Sequence, residues 1–181
     1  MRAGTLLLYG LLALAIAVSA WLWAPAGRLV LSVLMGWTLL ALAIIDWKTL
    51  ILPDPLNACL ALLAVIMIWQ HAQADWLDHL IGGIIGGLVL LVIELFYRHV
   101  RKLDALGRGD AKLAAALGLW LGWQMLPFLF LIAAGAGLLA VLVYAGLLRR
   151  PITTETPLAF GPWIALSGWV CWLARPLVLP A

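Results

Sequence analysis

Two aspartates, Asp46 and Asp110, stand beside long apolar runs in this sequence, where a carboxylate is costly unless it has a partner or a function. Asp46 opens the stretch DWKTLILPD, and Asp110 ends the glycine-containing GRGD at 107–110. Two neighbouring carboxyl groups cannot both ionise cheaply, so such a pair keeps one proton acceptor and one proton donor. Water-assisted hydrolysis of a peptide bond requires both states. The pair therefore indicates an aspartic hydrolase.

The elements that must position these acids are apolar helices. The chain of 181 residues is 66% hydrophobic, with a mean hydropathy of +1.13, whereas apolar residues make up about 45–50% of a soluble domain. Since about 20 helical residues cross a hydrocarbon core, we expect one all-α domain over 1–181, a polytopic transmembrane bundle of six or seven helices. The predicted spans are 5–24, 29–45, 55–70, 81–97, the short 113–124, 127–148 and 158–174.

The basic residues predict which helix ends face the cytoplasm. With a cytoplasmic N-terminus, only Arg28 and Arg175 fall on the outer side, and an excess of Lys and Arg marks cytoplasmic loops. Both aspartates then lie at the cytoplasmic membrane boundary, although they are far apart in the chain. The basic residues placed inside are Arg2, Lys48, Arg98, Arg101, Lys102, Arg108, Lys112, Arg149 and Arg150.

Tryptophans and small residues are interpreted as membrane and packing features. The stretches IGGIIGG at 81–87 and AAGAG at 133–137 should let helix backbones approach closely. Indole rings favour the headgroup level of a bilayer, so the tryptophans near the predicted outer boundary are expected to form a belt. They are Trp21, Trp23, Trp69, Trp76, Trp120, Trp123 and Trp172.

Composition argues against several other kinds of site. The net charge of +3 comes from scattered residues and not from the basic stripe typical of nucleic-acid binding, so membrane lipids are expected partners and nucleic acid is not. Cys59 and Cys171 form no CxxC pair, so neither a zinc site nor a disulfide framework is indicated. His71 and His79 lack a matching cluster of metal ligands. No metal and no cofactor are expected.

Each acid taken alone has a structural explanation. Asp110 precedes the helical run AKLAAALG and could be its N-cap, and Asp54, followed by a proline, has the pattern of another N-cap. Asp46 could be an interfacial residue paired with Lys48. Glu94, about one turn from the end of its span, could face the acids or merely reach the interface. Only Asp46 and Asp110 taken together favour catalysis.

Three ordered blocks resemble the type IV prepilin peptidases, which are membrane aspartyl proteases of the GxGD class. The blocks are DWKTLILPDPLNACLALL from residue 46, GRGDAKLAAALGLWLGW from residue 107 and LAFGPWIAL at 158–166. The resemblance implies that Asp46 and Asp110 are the catalytic aspartates and that Gly107 and Gly109 are the motif glycines. It implies a GxGD protease-like helical bundle in which water is the nucleophile.

The same resemblance implies substrates and a location. Members of that family cleave the short basic leader from type IV prepilins and from the pseudopilins of type II secretion, at the cytoplasmic face of the bacterial inner membrane, while the apolar stem of the substrate enters the bilayer. Many members also carry a CxxC-containing domain between the first two helices and methylate the new N-terminus. Here only PAGR separates those helices, so we expect a short form without methyltransferase activity. Arg108 replaces a usual aromatic residue, which bears on substrate preference.

Further residues are expected to border a substrate groove. Glycines beside Asp110 would let an extended substrate strand approach without a side-chain clash. The proline-rich PITTETPLAFGPW cannot begin as a regular helix, and broken backbone at membrane depth lines a cavity or is buried in protein, so its end either borders the groove or is an ordinary re-entrant connection. The expected groove residues are Gly107, Gly109, Asp54, Lys112, Phe160, Gly161 and Pro162.

Helix dipoles suggest roles for the two acids. Asp110 at a helix N-terminus should ionise more readily than Asp46 near a helix C-terminus. Asp110 is therefore the expected base and Asp46 the expected acid.

Two functions of other classes remain as alternatives. A proton-coupled small-solute transporter would place its acids at the midplane between repeated halves, which this sequence does not show. A non-catalytic assembly subunit of a pilus or secretion machine is the other alternative. The sequence leaves open the oligomeric state and the particular pilin.

Overall fold

The part of the chain that the structure describes folds into α-helices. A computed structural model describes residues 3–25, 27–101, 107–148 and 159–178. Those residues contain no β-strand, so the all-α prediction is confirmed. The helices are α1 (Ala3–Trp23), α2 (Leu29–Thr49), α3 (Asp54–His71), α4 (Trp76–Arg101), α5 (Arg108–Leu121), α6 (Leu126–Leu148) and α7 (Gly161–Val178).

Five of these helices are long and apolar enough to cross a membrane. The candidate spans are Gly4–Trp23, Leu29–Thr49, Asp54–His71, Trp76–Val100 and Trp123–Gly146. The predicted multi-pass membrane architecture is thereby confirmed. Helix α5 has only 14 residues and packs against α3, α4 and α7. The sequence placed this short helix at 113–124, whereas it begins at Arg108 and therefore includes Asp110 in its first turn.

Small residues bring α4 and α5 into close contact. A Cβ atom built on Gly82 would lie 2.5 Å from the backbone oxygen of Gly118, and one on Gly86 would lie 2.6 Å from the backbone oxygen of Ala114. The packing prediction for 81–87 is therefore confirmed, because any side chain here would force the helices apart. In the other small-residue stretch, a Cβ on Gly135 would meet no atom within 4 Å.

Two tryptophans assigned to the outer belt are core residues instead. Trp120 and Trp172 are fully buried and pack edge to face with ring centroids 5.1 Å apart. The indole nitrogen of Trp120 donates to the Leu60 carbonyl at 2.9 Å, and that of Trp172 donates to the Ser32 hydroxyl at 2.8 Å. Because both N–H groups have protein partners, these rings can leave the membrane interface. The other five tryptophans of the predicted belt are exposed.

The two ends of the bundle differ in their polar groups. At one end, the Arg28 guanidinium donates to the His71 carbonyl at 3.1 Å, and Arg175 lies 3.4 Å from the ring of His79. The other end holds the last turn of α2 and the first turn of α5, and hence both Asp46 and Asp110. The predicted pairing of helix ends is therefore correct, while the end that faces the cytoplasm stays a prediction. Arg2, Lys102, Arg149 and Arg150 lie outside the described residues.

Candidate active site

A cavity of about 350 Å³ lies where α2 ends and α5 begins. Both aspartates line this cavity, which we call the acidic cavity. Among the described residues, no group of three or more His, Cys, Asp or Glu side chains is placed to hold a metal ion. The predicted site residues that line the acidic cavity are Asp46, Asp54, Gly107, Gly109, Asp110, Lys112 and Phe160.

Asp46 lies in the last turn of α2 and is only 5% exposed. Its Oδ2 accepts a hydrogen bond from the backbone N–H of Gly161 at 3.1 Å. Gly161 is the first residue of α7, so the positive end of that helix dipole faces the carboxyl group and favours its charged form. Lys48, which could have paired with Asp46, instead lies with its Nζ 5.1 Å from the ring centroid of Tyr9. The alternative in which Asp46 pairs with Lys48 is therefore not supported, because Asp46 is buried and its described hydrogen-bond partner is Gly161.

Asp110 is the third residue of α5 and is 7% exposed. The N-cap residue of α5 is Gly107, so the interpretation of Asp110 as the N-cap is wrong. Burial, followed by the charge of Asp46, raises the pKa of Asp110 to about 7, and a backbone hydrogen bond with Gly107 opposes this rise. A carboxyl group with that pKa is about half protonated at neutral pH and can donate a proton there.

The two motif glycines differ in what surrounds them. Neither has a positive φ angle, so backbone strain explains neither position. A Cβ built on Gly109 would lie 2.8 Å from the Cβ of Leu52, whereas one on Gly107 would lie 3.5 Å from Oδ2 of Asp110, an ordinary contact. The close approach to Gly109 is therefore made by Leu52 of this chain, which corrects the expectation that both glycines leave room for a substrate strand.

Asp54 and Lys112 form an ion pair at the rim of the acidic cavity. Lys112 Nζ lies 2.6 Å from Asp54 Oδ1, with side-chain exposures of 52% and 69%. Pro53 is the N-cap residue of α3, and no side-chain hydrogen bond caps that helix, so the cap interpretation of Asp54 is wrong. An exposed pair of this kind adds little stability. Its position at the cavity mouth is the more informative feature.

The segment leading into α7 has a mixed outcome. Phe160 lines the acidic cavity, and Gly161 contacts Asp46 through its amide. Pro162 lies instead on a separate cavity between α1, α2 and α7, so the prediction that it borders the same groove is wrong. This follows from the helical turn, which points successive residues in different directions. Pro151 and Pro157 lie outside the described residues.

Three features of the site were missed or left undecided at the level of sequence. Glu94 is 4% exposed, and its Oε1 lies 3.6 Å from Nε of Arg108, which ties α4 to the start of α5. Asn57 is buried, and neither polar atom of its side chain has a hydrogen-bond partner. The signal for Asn57 was a polar residue within an apolar run, one turn after Asp54. No pattern in the sequence indicates the hydrogen bond from the Gly161 backbone N–H to Asp46.

Comparison with known proteins identifies relatives over most of the chain. The model of the type IV leader peptidase family matches residues 32–142. Proteins named prepilin leader peptidase/N-methyltransferase are 40% identical over 155 residues in Pectobacterium carotovorum subsp. carotovorum, covering 86% of this chain and 55% of the relative. The corresponding protein of Dickeya chrysanthemi is 40% identical, covering 81% of this chain and 51% of the relative. That of Escherichia coli (strain K12) is 39% identical, covering 75% and 61%.

The chain thus spans about half the length of these curated relatives. No solved structure matches it.

Proposed function

The chain belongs to the type IV leader peptidase family, and we propose on that premise that it is an aspartic endopeptidase that removes the basic leader from type IV prepilins or type II secretion pseudopilins. The observation that carries this proposal is that Asp46 and Asp110, which are far apart in the sequence and both buried, line the same cavity. Such a pair can activate water directly, without a covalent intermediate on the protein.

The helix dipoles predicted Asp110 as the base and Asp46 as the acid. The contacts of the two side chains support the opposite roles. Burial disfavours the ionised form of both acids, and at Asp46 the hydrogen bond from the backbone N–H of Gly161, at the start of α7, opposes this effect. Asp110 has a pKa raised to about 7 by burial and by the charge of Asp46. In this assignment, Asp46 takes a proton from a water molecule, and the oxygen of that water attacks the scissile carbonyl carbon. Asp110 donates a proton to the carbonyl oxygen, which gives a tetrahedral gem-diol. The C–N bond then breaks as Asp46 passes the proton that it took from water to the leaving amine, and Asp110 recovers a proton from a hydroxyl group of the gem-diol as the new carboxyl group forms.

A cytoplasmic location of the acidic cavity in the bacterial inner membrane is part of the proposal. The helix ends around the cavity carry most of the basic residues of the described chain, as cytoplasmic ends do. They include Lys48, Arg98, Arg108 and Lys112. A basic leader that stays in the cytoplasm would then meet the two acids at the same depth.

Cleavage of a defined substrate tests this function. The full chain, reconstituted in lipid nanodiscs, is incubated with a purified type IV prepilin and, separately, with a pseudopilin. We expect one cut between the basic leader and the apolar stem, mapped by mass spectrometry of both products. The same spectra report whether the new N-terminus gains a methyl group, which we do not expect. Intact substrates after long incubation with folded protein would contradict the proposal.

The rate of cleavage should depend on pH in a way that the raised pKa of Asp110 dictates. The protonated carboxyl is the donor, and it is lost as the pH rises through about 7. We therefore expect kcat/KM to fall by about tenfold per pH unit well above that value. At low pH, the rate should fall again as Asp46 binds a proton.

The measurement is a pH–rate profile on the reconstituted protein, with samples returned to neutral pH to confirm that the loss is reversible. A rate that stays constant far into the alkaline range would contradict the role of Asp110 as the acid.

A further inference from the structure

A second cavity, of about 540 Å³, lies between α3, α4 and α5 and adjoins the acidic cavity. We call it the lateral groove. Asp54 and Lys112 line both cavities, so the two cavities meet at this ion pair. Beyond the pair, the lateral groove runs along the membrane-spanning part of α3 and α4, and its lining is almost entirely apolar.

The walls of the lateral groove are suited to another helix or extended segment. Helices α3 and α4 pack against α5 far more extensively than against each other, so α5 forms the floor between them. Small residues cover much of this surface, namely Ala58, Ala61, Gly83, Ala115 and Ala116. Small side chains allow a second backbone to approach closely within a bilayer.

One polar side chain interrupts this apolar surface. Asn57 lines the lateral groove one turn after Asp54 and is only 5% exposed. Neither its Oδ1 nor its Nδ2 has a hydrogen-bond partner among the described residues. An asparagine amide can both donate and accept hydrogen bonds, and leaving both groups unpaired in apolar surroundings is costly. A ligand backbone that pairs with this amide would remove that cost, and because both polar atoms are shielded in the free protein, the Asn57 side chain must turn toward the groove to reach it.

A peptide substrate would supply the hydrogen-bond partners that the Asn57 amide lacks. A peptide bond must leave regular helix to be attacked, and the N–H and C=O groups freed by unwinding have no water to bind at membrane depth. We propose, as an extension of the proposed function, that the lateral groove binds the apolar stem of the substrate just after the scissile bond and that Asn57 hydrogen-bonds its unwound backbone. Asn57 is in this sense a substrate-binding residue, and the small residues accommodate the helical remainder of the stem.

Another cavity beside the acidic cavity is the alternative binding site for the substrate stem, and we call it the rival groove. This cavity of about 520 Å³ between α2, α6 and α7 also adjoins the acidic cavity, through Leu50, Ala159 and Phe160. Its lining is also mainly apolar and, unlike that of the lateral groove, includes aromatic side chains. Its described lining residues include no buried polar side chain without a partner. The unwound part of a substrate would find no free side-chain partner of that kind there.

Crosslinking distinguishes the two grooves. A photoreactive benzoylphenylalanine replaces Ile84 in the lateral groove or Leu138 in the rival groove, both of which are exposed. The carrier is the Asp46→Asn protein, which should hold an uncleaved prepilin. We expect the substrate stem to crosslink at position 84 and not at 138. Crosslinking at 138 alone, or at neither position, would overturn the lateral-groove assignment. Failure of the unsubstituted chain to cleave the same prepilin would instead contradict the proposed function.

Substitution of Asn57 separates substrate binding from a structural role. Asn57→Leu removes an unpaired buried amide, so we expect equal or higher thermal stability, a KM raised about five- to tenfold from loss of a hydrogen bond, and an unchanged pH profile. Asn57→Ser keeps a donor and an acceptor and should recover much of the loss. A destabilised Asn57→Leu protein, or one with unchanged KM, would overturn the role of Asn57 in binding.

Discussion

Replacing either Asp46 or Asp110 with asparagine should slow leader cleavage by about 10³-fold, the usual contribution of general acid–base catalysis. Asparagine has nearly the same shape as aspartic acid, but it can neither take the proton from water nor act as an acid. Both side chains are almost fully buried in one cavity. The measurement is single-turnover cleavage of a prepilin by each reconstituted variant, together with its substrate affinity, which should change little.

A matched control is Asp75→Asn, which makes the same chemical change at the opposite end of the bundle. Asp75 is exposed and lies just before α4, so this variant should cleave at the normal rate. The double variant Asp46→Asn, Asp110→Asn should be no slower than the slower single variant, because the two groups act as one unit. If both single variants kept full biological function, the chain would be an assembly subunit and not a protease.

The position of the two acids at one end of the bundle could be predicted from the sequence, because hydropathy and the charges of the loops are properties of short stretches of the chain. Hydropathy locates apolar helices, and alternating crossings put the end of α2 and the start of α5 on one side. The bias in basic residues supports that arrangement. These rules placed Asp46 and Asp110 together without knowledge of any distance, and the resemblance to a protease family depended on the same residues.

Contacts between distant elements could not be predicted in that way. Trp120 was assigned to a membrane belt because its nearness to a helix end is visible in the sequence, whereas the Leu60 carbonyl that receives its N–H is not. Gly109 was interpreted through backbone freedom, but the relevant neighbour is Leu52, which lies in the connection between α2 and α3. For both Trp120 and Gly109, the surroundings of the residue are set by a contact with a residue from another part of the chain.

The roles of the two acids illustrate the same limit. The dipole of α2 alone disfavours an ionised Asp46, since its carboxyl lies near the negative end of that helix. The structure adds the first amide of α7, which donates directly to Oδ2 of Asp46. A hydrogen bond to the charged form acts at shorter range than the dipole of the parent helix. The proposed exchange of base and acid follows from this one contact and from the pKa of Asp110, which burial and the charge of Asp46 raise to about 7.

The Gly161→Ala variant should lose about 10²-fold in cleavage rate, the usual consequence of displacing a catalytic group by about 1 Å. A Cβ atom on Gly161 would lie 2.7 Å from Oδ2 of Asp46 and 3.2 Å from Cδ1 of Leu52. Because the contact with Oδ2 is shorter than real Cβ contacts and the Leu52 side chain leaves the Cβ little room to shift, the carboxyl of Asp46 must move away from the Gly161 amide, whose hydrogen bond it accepts. The substitution keeps the backbone N–H of residue 161. A lower rate would therefore result from displacement of the Asp46 carboxyl and not from loss of the hydrogen-bond donor.

The matched control for this variant is Gly135→Ala, the same change in another helix, where an added Cβ meets no atom within 4 Å. That variant should cleave normally and be slightly more stable, because alanine favours helix over glycine by about 1 kcal/mol. Single-turnover rates and thermal unfolding of both variants separate a local displacement from general destabilisation. A Gly161→Ala protein with a normal rate would mean that the contact between α7 and Asp46 does not position the base, and the assignment of Asp46 as that base would lose its structural support.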